Sequence, residues 1–170
     1  MQISDKPILF LDVDGVISPL SHRDPEEYPP IFEEERIGEP WPMYLAKIHR
    51  EWLKDLSTHY ELVWGSTWVD IGFKNINTFL ELPELPFVDF PDREKPLWKL
   101  KAVAEYAGER PFVWIDDDIS SGAFRWARQR DVPVLLIKPK KIEGLLEKHY
   151  RKALKFAKNL EIERGEVSLP

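Results

Sequence analysis

An apolar run followed by two closely spaced carboxylates constrains the fold of this chain most. Residues 8 to 11 have the composition of a buried strand, and Asp12 and Asp14 follow directly, ahead of Gly15. In an open α/β sheet, side chains at the carboxyl end of a strand reach the edge at which ligands bind. Two acids there resist ionising together, so a divalent cation or protonation of one acid is expected. A calcium loop or a solvated turn is the alternative, but the residues after Gly15 are apolar.

Two later strand-like runs also end in polar residues that suit a binding site. Residues 111 to 115 lead into the acids Asp116, Asp117 and Asp118, and residues 61 to 64 lead into a Gly-Ser-Thr-Trp sequence. Hydroxyl and amide groups at a strand end suit phosphate oxygens. These runs therefore predict one shared site that holds a cation and an anion.

The alternation of strand and helix patterns predicts an α/β fold with a parallel sheet. Strands are predicted near residues 8 to 13, 61 to 65, 86 to 90, 111 to 115 and 133 to 137. Helices are predicted over residues 41 to 56, 71 to 81, 96 to 107, 120 to 130 and 140 to 160. A helix beginning near Pro96 would point its first turn at the site, which favours Lys95 and Lys99 over Lys101.

With these motifs in order, the chain resembles the haloacid dehalogenase (HAD) superfamily of phosphatases and phosphotransferases. The resemblance covers residues 7 to about 137, and its flanking strings are most similar to the HAD domain of RNA-repair proteins. It rests on four motifs, which are Asp12-Val13-Asp14-Gly15-Val16, Trp64-Gly65-Ser66, Lys99 with Lys95 as a rival, and Asp116-Asp117. The resemblance implies a three-layer Rossmann-like fold, a five-stranded sheet in the order 3-2-1-4-5 and no large cap domain.

The resemblance also implies roles for these residues. Asp12 would be the nucleophile, Asp14 the general acid and base, and Ser66 and Lys99 would hold the transferring phosphoryl group. Thr67 and Trp68 are predicted to contact the substrate, and Trp68 or Trp98 could stack on a base; packing in the core is the alternative for both tryptophans. The expected cofactor is Mg²⁺, with Asp12, Asp14 through its main-chain carbonyl, Asp116 and Asp117 as ligands.

Composition is consistent with a single HAD-like domain over residues 1 to 170. The chain has 43% hydrophobic residues and no cysteine, so thiolate chemistry is excluded. No basic and apolar leader and no membrane-length apolar run occurs, which predicts a soluble, cytoplasmic protein without a membrane partner.

Two segments depart from the average composition. Residues 18 to 42 are rich in proline and predict an irregular loop near the site. Residues 138 to 158 hold eight Lys or Arg and two Glu in a chain of net charge −6. The basic amphipathic helix predicted over residues 140 to 160 is either a solvated face or a surface for a phosphate backbone.

These features predict a magnesium-dependent phosphomonoester hydrolase that acts through an aspartyl phosphate. The expected partner is a phosphorylated substrate, with nucleotides and nucleic-acid phosphate ends placed above sugar phosphates. The alternative is a metal-binding module that interacts with nucleic acid, or serves as a scaffold, without turnover.

Overall fold

A four-stranded parallel sheet forms the centre of the computed structural model, which describes residues 6–21, 23–33, 41–68, 73–91, 93–94 and 97–165. Its strands are β1 (Ile8–Leu11), β4 (Glu61–Trp64), β5 (Phe112–Ile115) and β6 (Val134–Ile137), in the order β4-β1-β5-β6. Leu11 lies opposite Trp64 on one side and Ile115 on the other. The residues that follow these three positions therefore emerge at one edge of the sheet.

The predicted outer strand at residues 86 to 90 is reduced to one bridge beside β4. Phe87 pairs with Trp64, where the main-chain amide of Trp64 donates to Pro86 and the amide of Val88 donates to Trp64, both at 2.8 Å. Pro83, Pro86 and Pro91 lack the N–H groups that a longer ladder requires. The α/β class is confirmed, and the order of the other four strands is as predicted. The described residues form a four-stranded rather than a five-stranded sheet, because residues 86–90 add only this bridge beyond β4.

Helices cover both faces of the sheet. They are α1 (Ile48–His59), α2 (Phe73–Leu80), α3 (Trp98–Ala107), α4 (Ser121–Ala127) and α5 (Glu147–Glu163). Leu9 and Leu11 point into the core beneath α1, α2 and α5, whereas Ile8 and Phe10 point into the core beneath α3 and α4. All four side chains of β1 are fully buried, and each contributes about 2 kcal/mol relative to an exposed position. The result is the three-layer arrangement that was predicted.

The helix predicted over residues 41 to 56 is wrong at its beginning. Trp41–Tyr44 forms a strand, β3, that pairs antiparallel with β2 (Pro30–Glu33). Pairing buries Met43 completely, and the main-chain amide of Tyr44 donates to the Ser18 hydroxyl at 3.1 Å. This hairpin lies partly within the segment predicted as irregular, and residues 34–40 lie outside the described residues. Within the described ranges, no separate cap domain follows β1.

The last helix begins seven residues later than the predicted 140. Gly144 has φ +69, and a Cβ there would lie 2.8 Å from the carbonyl oxygen of Val16. This close approach places residues 140–146 in a turn beside the loop after β1, with the amide of Leu145 donating to Val16 at 2.8 Å. In α5 itself, Ala153, Ala157 and Leu160 are buried on one face. Over the described part of the chain, no helix combines the length and apolar character needed to cross a membrane.

Candidate active site

The carboxyl ends of β1, β4 and β5 bring most of the predicted site residues to one edge. The amide of Asp12 donates to the carbonyl of Ile115 at 3.0 Å, and the amide of Gly65 donates to Leu11 at 2.7 Å. These bonds extend the strand ladder into the loops that carry Asp12 and Ser66. Asp12 is 5% exposed and Asp116 is fully buried.

Lys99 lies between the two aspartates that end β1 and β5. Its Nζ atom is 2.8 Å from Asp12 Oδ2 and 2.7 Å from Asp116 Oδ2. Lys99 is the second residue of α3, so the helix presents it to the sheet edge. Burial alone would lower the pKa of Lys99, but the charges of Asp12 and Asp116 more than offset this and raise it. The ammonium group therefore stays charged at this edge. The rival residue, Lys95, lies outside the described residues.

The two buried aspartates are held by further hydrogen bonds. Asp12 Oδ1 accepts from the amide of Val13 at 2.7 Å, and Asp116 Oδ1 accepts from the amide of Asp118 at 2.7 Å. Each carboxylate thus has one oxygen on the main chain and the other on Lys99. Their orientation is fixed by the strand ends rather than by solvent.

Three carboxylates form a group that can hold a cation. Oxygen atoms of Asp12, Asp116 and Asp117 lie within 4.8 Å of one another. Burial, followed by the charge of Asp12, raises the pKa of Asp116 to about 7, and the same causes raise the pKa of Asp117. Negative charge here exceeds what Lys99 neutralises. A hard divalent cation such as Mg²⁺ prefers oxygen ligands and would supply the missing charge.

Gly15 lets the carboxyl group of Asp117 approach the loop after β1. Gly15 has φ +72, and a Cβ at this position would lie 2.6 Å from Asp117 Cγ. A side chain at position 15 would therefore displace Asp117 from the group of three carboxylates. The close approach and the all-oxygen donor set together fit a magnesium site.

Asp14 has a different environment from the other predicted ligands. Among the described residues, its carboxylate is not part of the three-carboxylate group. Asp14 Oδ2 instead accepts a hydrogen bond from the indole Nε1 of Trp68 at 2.9 Å. The side chain that was predicted to act as acid and base is thus separate from the atoms that would hold the metal.

Trp68 is buried beside the site. It was predicted to contact substrate, with packing in the core as the alternative, and it is 3% exposed and packs in the core beneath α1, α2 and α5. This burial favours packing over stacking on a base, and contact with substrate stays a prediction. Ser66, on the same loop, is 1% exposed, and Thr67 is half-buried. The contact between Trp68 and Asp14 escaped the sequence analysis because nothing in the sequence pattern shows where an indole N–H points.

Two cavities border Trp98. One of about 140 Å³ is lined by Trp98, Lys99, Asp118 and Ser120, among others. A second, of about 320 Å³, shares Trp98 and continues along α3 towards Tyr106. Trp98 is half-buried and meets Phe90 edge-to-face, with ring centroids 5.2 Å apart. Trp98 therefore places an aromatic side chain at a cavity next to Lys99.

Comparison with known proteins identifies the family. Searches of curated proteins and of solved structures gave no match. The sequence model of one family, described as the HAD domain in Swiss Army Knife RNA repair proteins, matches residues 8–150. That range includes all the aspartates, the serine and the lysine of the site, so the chain belongs to this family of HAD domains.

Proposed function

We propose that the protein is a magnesium-dependent phosphomonoesterase. Asp12 is phosphorylated by the substrate, and water then hydrolyses the aspartyl phosphate. The family supports a phosphatase-type hydrolase. The observation that carries the finer proposal is the contact of Lys99 with both Asp12 and Asp116, at 2.8 and 2.7 Å, beside a group of three carboxylates. A buried positive charge next to the nucleophile stabilises the negative charge of a bound phosphoryl group.

Asp12 is the proposed nucleophile. Its Oδ1 atom accepts from the amide of Val13 and its Oδ2 atom from Lys99, so the carboxylate has one fixed orientation. Attack on phosphorus forms a bond from an Asp12 oxygen and breaks the bond to the leaving oxygen. Water then attacks the aspartyl phosphate, which releases phosphate and restores Asp12.

Asp14 is the proposed general acid and base. It would donate a proton to the leaving oxygen in the first step and take one from the attacking water in the second. Its separation from the three-carboxylate group supports this division of roles, because a carboxylate committed to a metal is a poor proton carrier. Ser66 and Lys99 would hold the phosphoryl oxygens.

The metal ligands in this proposal are the carboxylates of Asp12, Asp116 and Asp117 with the main-chain carbonyl of Asp14. When bound, Mg²⁺ would neutralise the phosphoryl oxygens and lower the barrier to attack by an anionic nucleophile. Lys99 shares this neutralisation and orients the phosphoryl group towards Asp12.

Nucleotides and nucleic-acid phosphate ends are the proposed substrates. Trp98 borders a cavity next to Lys99, and the described residues include no cap domain that would enclose a small metabolite. The family description names RNA repair, which supports a nucleic-acid end. The basic residues 138–158 add charge that attracts a phosphate backbone.

A phosphatase screen tests this proposal. The panel contains nitrophenyl phosphate, nucleotides, sugar phosphates, phosphopeptides and oligonucleotides phosphorylated at the 3′ or 5′ end. We expect turnover with Mg²⁺, none with a chelator, none in Asp12→Asn, and the highest kcat/KM with nucleotides or oligonucleotides. Absence of turnover together with retained oligonucleotide binding would favour a binding module instead.

A further inference from the structure

One hydrogen bond joins Asp14, the proposed general acid and base, to the hydrophobic core. Trp68 Nε1 donates to Asp14 Oδ2 at 2.9 Å, while Trp68 is 3% exposed and packs in the core that includes Val13 and Val16. An indole has one donor and no acceptor, so its direction is set entirely by the packed rings. The core therefore determines where this N–H points.

The bond restricts the side chain of Asp14. A carboxylate at the end of a short side chain rotates freely in water, and each orientation places its two oxygens differently. Fixing Oδ2 on a buried donor sets the direction of Oδ1 as well. A general acid needs this restriction, because proton transfer requires its oxygen to stay within hydrogen-bond reach of the leaving atom.

The same loop carries both Trp68 and Ser66. It follows β4 and is bonded to β1 through the amide of Gly65 and the carbonyl of Leu11 at 2.7 Å. One short segment thus sets the position of the Ser66 hydroxyl, which would hold the phosphoryl group, and the orientation of Asp14. Movement of this segment would change both together.

We propose that Trp68 is a positioning residue, whose indole N–H orients Asp14 for proton transfer to the leaving group and from water. This inference rests on the proposed function. It replaces substrate contact as the role of Trp68, and it gives a reason for a tryptophan, rather than another large apolar residue, at this position.

Trp68→Phe tests the proposal because it keeps an aromatic ring and removes the N–H. We expect kcat/KM for an alkyl phosphate, whose leaving group needs a proton, to fall about tenfold. The kcat/KM for nitrophenyl phosphate, whose leaving group needs little protonation, should change less than about twofold. The Mg²⁺ concentration for half-maximal activity should stay the same.

Trp64→Phe is the matched control. Trp64 is also buried, and its indole N–H donates to Asn77 Oδ1 at 3.1 Å, away from the acids. Each variant keeps an aromatic ring and loses one indole hydrogen bond, so a general loss of stability should affect both. Only Trp68→Phe should change the ratio of kcat/KM between alkyl and nitrophenyl phosphates.

A double-mutant cycle separates positioning from structure. In an Asp14→Asn background, Trp68→Phe should cause no further loss, whereas Trp64→Phe should have its usual effect. Additive losses for Asp14→Asn and Trp68→Phe, or an unchanged ratio between substrates, would overturn the assignment.

A spectroscopic measurement keeps the inference testable if Trp68→Phe does not fold. In the parent sequence, the indole N–H resonance of Trp68 should move and exchange faster on Asp14→Ala, and the resonance of Trp64 should not. No change at Trp68 would overturn the assignment alone. Absence of phosphatase turnover in the parent protein would overturn the proposed function and this inference with it.

Discussion

The candidate active site has two regions that differ in burial. We call Asp12, Lys99 and Asp116 the site floor, because they lie at the sheet edge with at most 15% of their side chains exposed. We call Trp98, Asp118 and Ser120 the site rim, because they line the cavity next to Lys99. Trp98 is half-buried, and Asp118 and Ser120 are exposed. The floor consists of buried charges, whereas the rim is open to solvent.

For the proposed reaction, this difference predicts which part each region would control. Charges on the floor act in a desolvated setting, where an electrostatic interaction is worth several times more than in water. Contacts on the rim compete with solvent and depend on the part of the substrate beyond its phosphate. Changes in the floor should therefore be large and equal for all substrates, and changes in the rim small and specific.

Lys99→Ala should give the largest effect among the following variants. It removes the cation between Asp12 and Asp116, and we expect kcat/KM to fall about 10²- to 10³-fold on every phosphate ester. Lys101→Ala, an exposed residue on the same helix, is the matched control and should change activity little. A larger loss in Lys95→Ala than in Lys99→Ala would assign the motif lysine to Lys95.

The floor should also respond to pH. Burial raises the pKa of Asp116 from 3.8 to about 7. Below about pH 7, the protonated form of Asp116 is therefore favoured in the folded protein. Mg²⁺ needs the ionised form, and its affinity should fall about tenfold for each pH unit below the raised pKa. Titration of Mg²⁺ between pH 5 and 8 checks this, with exposed Asp118→Asn as control.

The stability of the metal-free protein should fall as the pH rises, whereas the affinity for Mg²⁺ should increase. The raised pKa of Asp116 stabilises the folded protein in full below pH 3.8, and this stabilisation is lost as the pH rises through about 7. The free energy of unfolding of the metal-free protein should therefore decline across this window, and Asp116→Asn should decline less. Equal pH profiles for the parent and Asp116→Asn would remove Asp116 from the account.

On the rim, Trp98→Ala should affect only substrates with a base. Loss of a stacking surface should raise KM for nucleotides and oligonucleotides about tenfold and leave glycerol phosphate unchanged. Trp126→Ala is the control, because Trp126 packs on Phe112 at the opposite end of β5. Equal changes on glycerol phosphate would show that Trp98 supports the floor and does not select the substrate.

The smallest effect is expected outside both regions, on the exposed face of α5. Replacing Lys148, Lys152 and Lys155 with Glu should lower oligonucleotide turnover about threefold at low salt and not at high salt. Nitrophenyl phosphate should be unaffected. Lys54→Glu with Lys74→Glu, on α1 and α2, is the control. A loss that is independent of salt would mean that α5 acts through the fold.

The floor was accessible to sequence reasoning, whereas its surroundings were not. Parallel strands end at one edge, so acids that follow residues 8–11 and 112–115 must meet, whatever lies between them. The hairpin of β2 and β3 depends on pairing between segments that carry proline and no regular alternation. The turn at Gly144 depends on the carbonyl of Val16, which is far away in sequence.

Polar contacts made by core residues were also beyond the sequence pattern. His49 of α1 is buried, and its Nε2 atom lies 3.0 Å from the carbonyl oxygen of Leu145. Trp68 likewise combines apolar packing with a hydrogen bond to Asp14. Periodicity predicts which side chains are buried, but not which partner a buried donor meets.

The central claim is that Asp12 carries the phosphoryl group, and trapping that group tests it most directly. Asp14→Asn should slow hydrolysis of the intermediate more than its formation from nitrophenyl phosphate, whose leaving group needs little protonation. Asp14→Asn is reacted with radiolabelled nitrophenyl phosphate and Mg²⁺ and quenched rapidly with acid. We expect label on the peptide that contains Asp12, and hydroxylamine should release this label. No label is expected when Asp12→Asn is treated in the same way. Turnover by the parent without labelled protein, or label on another residue such as Ser66, would contradict the account.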